Sequence, residues 1–257
     1  MAVGSVRRRL FCFPYAGAGR AVFREWPILL PPDIDVRVPC LPGRDARFDE
    51  PPATQMGPLV ASLAHDILAA TDLPYAIFGH SMGAFIAFDV AHELAALGRP
   101  PSHLFVSAQR GPALPYRGQP IFSLPDEEFL AGVVARYQNI PQPVLEQKDL
   151  MAVLFRTLRG DFTLTEDYRY RAAGRLSCPI TVFGGEDDIP LRPEDLRAWA
   201  RETTGVFRSH TLAGGHFFLN DQRAELLSTI AREFSLSAGP ISDEDERAIN
   251  HGDAANR

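Results

Sequence analysis

The sequence has few cysteines, and none is placed to pair or to bind a metal. Only three occur among the 257 residues, and they lie far apart, at Cys12, Cys40 and Cys178. An odd number of widely separated cysteines in apolar surroundings excludes a disulfide framework and gives no zinc-ligand spacing. We therefore expect buried thiols in a reducing, cytoplasmic compartment, and no metal site.

Positive charge and long apolar runs are also scarce. The 26 Lys and Arg residues are outnumbered by 32 Asp and Glu, which gives a formal net charge of −6. Nucleic-acid backbones require concentrated basic side chains, so nucleic-acid binding is not expected. No apolar run approaches the roughly 18 residues that cross a bilayer, and the stretch after residues 7–9 is too short for a secretory signal. We expect neither membrane insertion nor export.

Short apolar runs alternate with amphipathic stretches along most of the chain. Such runs, when helices separate them, indicate parallel strands that are buried on both faces. The pattern predicts a doubly wound α/β sheet with helices on both sides. Strands are predicted at 10–13, 35–38, 75–78, 104–108, 180–183 and 206–212, and helices at 59–70, 82–97, 193–203 and 223–234.

One segment interrupts this alternation. Residues 111–175 contain no convincing strand, but helical patterns occur at 126–137 and 144–158. We interpret the segment as a helical lid over the carboxyl edge of the sheet, and the alternative is a long crossover connection. The folded domain is thus expected to span 1–236, with a disordered polar tail at 237–257.

A serine occupies the turn between the third strand and the following helix. Residues 79–83 read Gly-His-Ser-Met-Gly, which fits the G-x-S-x-G nucleophile elbow in the strand–turn–helix context that this motif requires. Such a turn strains the serine and exposes its oxygen at the sheet edge. The pattern predicts that Ser81 is a nucleophile and that the Met82 amide, at a helix N-terminus, stabilises an oxyanion.

A serine hydroxyl is a weak nucleophile and needs a general base. Among seven histidines, His216 lies in a glycine-containing loop between the last strand and the last helix, where the chain can approach a site closely. We predict His216 as base and then acid. His80, inside the elbow, is expected to point away from the serine oxygen. The others lie in helices, beside strands or in the tail: His65, His92, His103, His210 and His251.

The carboxylate that orients the histidine is expected between serine and histidine in the chain. The loop after the fifth strand carries Asp187 and Asp188, of which Asp188 is favoured. A carboxylate there can fix the tautomer of His216. The small-residue loop after the first strand is expected to supply the second oxyanion amide, from Ala16 or, alternatively, from Tyr15.

Five stretches together resemble a known family. They are LFCFPYAGAG (10–19), CLPGR (40–44), GHSMGA (79–84), LRGDF (158–162) and GGHFFL (214–219). Over residues 8–235 the chain is similar to the type II thioesterases, which stand alone beside modular polyketide synthases and nonribosomal peptide synthetases. The resemblance implies an α/β-hydrolase fold with a helical lid, and the spacing from the acid to Trp199 supports Asp188.

The resemblance also implies an activity. Type II thioesterases hydrolyse acyl thioesters on the phosphopantetheine arm of carrier proteins, in editing or in product release. We therefore expect an acyl-serine mechanism, an acyl or peptidyl carrier protein as partner, no cofactor, and a monomer. Two other hypotheses stay open: an ester hydrolase or acyltransferase with the same triad, and a non-catalytic acyl-binding protein.

Two groups of side chains are candidates for contacts with the substrate. Four arginines near the expected entrance either meet a phosphate or an acidic carrier helix or are solvated charges: Arg20, Arg24, Arg44 and Arg47. Apolar residues of the predicted lid either line an acyl channel or pack on one another: Phe129, Val133, Val134, Leu154 and Phe155.

Overall fold

A computed structural model of the protein describes residues 6–137, 148–171 and 173–238. Six strands in this part of the chain form one sheet in the order β2-β1-β3-β4-β5-β6, and all five pairings are parallel. The predicted parallel α/β sheet is confirmed, and each predicted strand is found within a few residues. The strands are β1 Arg8–Phe13, β2 Ile34–Arg37, β3 Tyr75–His80, β4 His103–Ser107, β5 Ile180–Gly185 and β6 Phe207–Leu212.

Helices cover both faces of the sheet. The described helices are α1 Trp26–Leu29, α2 Met56–Leu68, α3 Met82–Ala96, α4 Asp126–Tyr137, α5 Lys148–Glu166, α6 Pro193–Arg197, α7 Phe218–Asp221 and α8 Arg223–Ser237. Among them, none is both long and apolar enough to cross a bilayer. The tail predicted beyond the end of α8 lies almost entirely outside the described residues and stays a prediction.

The central strands are buried because each of their faces contacts a helical layer. Successive side chains point to opposite faces, so Ile77 of β3 packs with α2 and α3, while Phe78 packs with α1 and α8. All six residues of β3 are buried. This burial on both faces explains why the strands read as continuous apolar runs. Because all the strands are parallel, the carboxyl ends of β1, β3, β5 and β6 lie along one edge of the sheet.

The predicted lid contains α4 and α5. α5 continues to Glu166 instead of ending near residue 158, because its last turns pack inward and the buried Glu166 carboxylate accepts the N–H groups of Ile121 and Phe122. An apolar group that we call the lid cluster lies between the two helices. It consists of Ile121, Phe129, Val133, Leu158 and Phe162. Within the described residues, Ala16 alone packs against both this cluster and the apolar core of the sheet.

Candidate active site

The turn from β3 into α3 holds Ser81 in a strained conformation. Its φ of 55° and ψ of −117° lie in a region that non-glycine residues rarely adopt, at a cost of about 1–3 kcal/mol. The Ser81 N–H donates to the Ser107 carbonyl at the end of β4, at 2.8 Å. A Cβ on Gly79 would lie 2.0 Å from the Gly83 carbonyl oxygen, and one on Gly83 would lie 2.2 Å from the Phe13 carbonyl oxygen. The elbow therefore requires both glycines.

A row of hydrogen bonds connects three predicted residues. The Ser81 Oγ lies 2.9 Å from His216 Nε2. On the other side of the ring, His216 Nδ1 lies 2.9 and 3.1 Å from the two carboxylate oxygens of Asp188. Because carboxylate oxygens accept hydrogen bonds, we assign the ring proton to Nδ1, which leaves Nε2 to accept from the serine hydroxyl. All three residues are buried, whereas Asp187 is exposed.

His80 contributes to this row in a way that the sequence did not reveal. Its Nε2 lies 2.9 Å from the His216 carbonyl oxygen, and its Nδ1 lies 2.9 Å from Ser107 Oγ. Burial lowers the pKa of His80 well below its usual value, so the ring is neutral. Nε2 therefore donates to the carbonyl and Nδ1 accepts from the hydroxyl. The residue next to the nucleophile thus holds the backbone of the histidine.

The loop after β1 forms a tight turn beside Ser81. The Ala18 N–H donates to the Tyr15 carbonyl at 3.1 Å, and the Gly17 N–H donates to Asp161 at 2.7 Å. The Ala16 N–H has no partner within the described residues. Met82 is the first residue of α3, where N–H groups have no partner inside a helix. These two N–H groups are thus available to a developing negative charge.

A cavity of about 370 Å³ lies between this row and the predicted lid. Of the five apolar candidates, Val133 and Leu154 line it, Phe129 and Phe155 pack in or against the lid cluster, and the half-buried Val134 belongs to neither group. The Tyr137 ring lies 4.7 Å from the His216 ring and covers it. Burial raises the pKa of Tyr137 to about 12. The cavity is bounded by both the sheet edge and the lid: Tyr15, Ala16, Ser81, Val133, Tyr137, Leu154, Leu158, Phe162 and His216.

The four candidate arginines differ in burial and in ion pairing. Arg44 does not lie on the entrance surface: it is buried and paired with Asp161, so both interpretations of Arg44, as a docking charge and as a solvated charge, are wrong. Arg47 pairs with Glu50. Arg20 and Arg24 are exposed, and their side chains form no ion pair with the part of the chain that the structure describes.

The fold and site define the class of the protein. The protein has the features of an α/β-hydrolase: a parallel α/β sheet, a serine on a strained strand-to-helix turn, and an acid and then a histidine that follow this serine in the chain. The sequence profile of the family described as Thioesterase domain matches residues 8–234. The chain belongs to this thioesterase family and is a thioester hydrolase.

Individual relatives indicate the kind of thioesterase that the chain resembles. The gramicidin S biosynthesis protein GrsT of Aneurinibacillus migulanus is 35% identical over 237 residues, which covers 92% of each chain. The RedJ thioesterase from the prodiginine pathway of Streptomyces coelicolor is 36% identical, with a TM-score of 0.81 over 88% of this chain and 86% of that one. YbtT, a type II thioesterase from the yersiniabactin NRPS/PKS pathway, is 28% identical, with a TM-score of 0.80 over 90% and 94%. The resemblance to type II thioesterases is confirmed.

Proposed function

We propose that this protein hydrolyses acyl groups from the phosphopantetheine arm of acyl or peptidyl carrier proteins in polyketide or nonribosomal peptide biosynthesis. The observation that carries the proposal is the hydrogen-bonded Ser81, His216 and Asp188 row, which opens into a lid-covered and largely apolar cavity. The cysteines of the described residues are free thiols, which supports a reducing, cytoplasmic location. The enzyme acts as a monomer.

The mechanism has two acyl-transfer steps. Ser81 Oγ attacks the thioester carbonyl carbon while His216 Nε2 takes its proton, and the Ala16 and Met82 N–H groups bind the oxyanion. The C–S bond then breaks, and His216 returns the proton to the leaving pantetheine sulfur. In the second step His216 takes a proton from water as the hydroxide attacks the acyl-serine. The acid leaves and Ser81 regains its proton.

The leaving group explains why this arrangement suits a thioester. A thiol is more acidic than an alcohol or an amine, so its departure needs little help from the protonated histidine. Stabilisation of the oxyanion and activation of the nucleophile then carry most of the catalysis. The chain's own residues supply both, and no cofactor is needed for either step.

A comparison of matched substrates tests the proposed reaction. We expect kcat/KM for an acyl group on a carrier-bound pantetheine to exceed that for the corresponding oxygen ester by about 10-fold or more, which is 1.4 kcal/mol in transition-state stabilisation. The intact mass of the carrier protein measures loss of the acyl group. Preference for the oxygen ester would indicate an ester hydrolase, transfer to an alcohol or amine instead of water an acyltransferase, and tight binding without turnover an acyl-binding protein.

A second experiment tests recognition of the carrier. Carrier proteins of this type are acidic, so Arg20 and Arg24 are the exposed charges that we expect to meet them. The double change Arg20→Glu and Arg24→Glu is expected to raise KM for the acyl-carrier about 10-fold at low salt and to leave turnover of free acyl-pantetheine unchanged. The effect should shrink as ionic strength rises.

Arg232→Glu is the matched control for this charge reversal. Arg232 is an exposed arginine of α8 that lies 3.6 Å from Glu233, so the melting temperature of this variant is measured alongside KM. Arg232 is near Ser235, which contacts Arg8 at the opposite edge of the sheet from Ser81. Its reversal should leave KM for the carrier unchanged. The single reversal changes the net charge half as much as the double one. A rise in KM in proportion to the change in net charge would mean that net charge alone matters, and the assignment of Arg20 and Arg24 would be wrong.

A further inference from the structure

Two stretches that carry the family resemblance contribute no residue to the hydrogen-bonded row of Ser81, His216 and Asp188. They are residues 40–44 and 158–162, and the structure joins them through Arg44 and Asp161. Arg44 Nη2 donates to Asp161 Oδ1 at 2.6 Å, and Nη1 donates to Oδ2 at 2.8 Å. The two side chains are 9% and 1% exposed. A buried, two-pronged ion pair of this kind fixes both the distance and the orientation of the segments that it links.

The same pair holds the turn after β1 through its backbone. Asp161 Oδ2 accepts the Gly17 N–H at 2.7 Å, and Arg44 Nη1 donates to the Ala18 carbonyl at 2.9 Å. Gly17 has a φ of 78°, and a Cβ there would lie 2.6 Å from Leu158 Cδ2. The turn therefore lies directly against α5: Gly17 is bonded to Asp161 of that helix, and Ala18 is held by Arg44, the partner of Asp161 in the ion pair.

These contacts determine which N–H group of the turn after β1 is left without a hydrogen-bond partner in the described part of the chain. Asp161 takes the N–H of Gly17, whereas the N–H of the adjacent Ala16 has no partner within the described residues. We propose that Arg44 and Asp161 are positioning residues that hold this turn so that the Ala16 N–H binds the oxyanion. The inference rests on the proposed function, because it needs Ala16 to be an oxyanion donor.

The ion pair also connects acyl binding to the reaction centre. Leu154, Leu158 and Asp161 lie at helical spacing on one side of α5, and both leucines line the cavity. The helix face that borders the acyl chain therefore carries the carboxylate that holds the oxyanion turn.

Replacing the carboxylate by its amide tests the proposal. In Asp161→Asn the side chain keeps its size, but it loses its charge and presents an NH₂ group to a donor. Loss of one oxyanion donor in a serine hydrolase lowers kcat about 10²–10³-fold, so a misplaced donor should lower kcat by about 10- to 100-fold. KM for a short acyl-pantetheine should stay within about twofold, because ground-state binding does not use the oxyanion donors.

The ratio of the inhibition constants of two inhibitors distinguishes loss of the oxyanion donor from a general loss of structure, because a general loss would weaken both inhibitors. An alkylthio trifluoromethyl ketone accepts Ser81 Oγ at its carbonyl carbon while the proton moves to His216, which leaves an oxyanion at the donors. Its inhibition constant should rise in Asp161→Asn in parallel with the fall in kcat. Binding of an S-alkyl pantetheine, a thioether that lacks the reactive carbonyl next to sulfur, should be unchanged.

Asp195→Asn is the matched control. Asp195 of α6 is also a buried carboxylate that pairs with an arginine, Arg117, and accepts a backbone N–H, that of Arg192. It does not contact the turn after β1. This variant should lose thermal stability and keep the wild-type ratio of the two inhibition constants.

A double variant and a fallback complete the test. Arg44→Gln combined with Asp161→Asn should lose no more kcat than the worse single change, since both act through one contact. If Asp161→Asn does not fold, Arg44→Lys replaces it, since lysine keeps the charge but cannot make the two parallel hydrogen bonds of the guanidinium. We expect the same fall in kcat and the same rise in the inhibition constant of the ketone. Unchanged kcat, or equal weakening of both inhibitors, would overturn the inference. A wild-type protein that neither hydrolyses acyl-carrier nor binds the ketone would instead overturn the proposed function.

Discussion

Ser81→Ala is expected to lower kcat for carrier-bound acyl thioesters by roughly 10⁶-fold, because the serine and histidine of such a site act as a unit. Alanine accepts the positive φ of Ser81 at about the same cost as serine, so the elbow should keep its shape. Mass spectrometry of the wild-type protein exposed to a panel of acyl-loaded carriers should show acyl groups on Ser81. The variant should show none.

Ser62→Ala provides the control for this change. Ser62 is exposed on α2, and its loss should alter neither the rate nor the acyl adduct. Acyl groups found on another side chain, or hydrolysis retained in Ser81→Ala with a native melting temperature, would remove Ser81 from the mechanism.

Asp188→Asn is expected to lower kcat by about 10⁴-fold. The amide can present its NH₂ group to His216 Nδ1, which favours the tautomer with the proton on Nε2. Nε2 is then no longer a base for the Ser81 hydroxyl. KM should change little, because Asp188 is buried behind the imidazole and does not line the described cavity.

The neighbouring aspartate makes a closely matched control. Asp187→Asn removes the same charge one residue away, but Asp187 is exposed and its own N–H bonds the Gly214 carbonyl at 3.0 Å. We expect kcat within about threefold of the wild type, in the range of exposed-charge effects of less than 1 kcal/mol. Similar losses in the two variants would show that charge near the loop matters more than the hydrogen bond to His216.

The sheet and the elbow are predictable because their signals are local. An apolar strand buried on both faces is visible as an uninterrupted run, and the steric conflict at the turn between β3 and α3 dictates glycines at fixed distances from Ser81. The choice between Asp187 and Asp188 is harder. Both follow the same strand by a similar distance, and the spacing to Trp199 that favours Asp188 comes from the family resemblance. In the folded protein Asp188 is buried and bonded to His216, whereas Asp187 is exposed. The roles of these residues in catalysis stay predictions.

Contacts between distant segments are where sequence reasoning fails. The hydrogen bond from His80 to His216 joins residues 136 positions apart, and that between Arg44 and Asp161 joins residues 117 apart. Arg44 in the 40–44 motif is interpreted from the sequence as a surface charge, because the sequence does not show that a lid helix brings a carboxylate to it. The positions of such motifs are predictable, but their partners are not.

The separate packing of the lid cluster has an evolutionary consequence. Among the described apolar residues, Ala16 alone packs against both the lid cluster and the core of the sheet, so the two apolar groups share few side-chain contacts. Val133 lines the cavity, so we expect its substitution to enlarge or reduce the room for an acyl tail without contacting the strands that carry the reacting groups. Divergence toward longer or shorter substrates is therefore open to this scaffold at little cost to its chemistry.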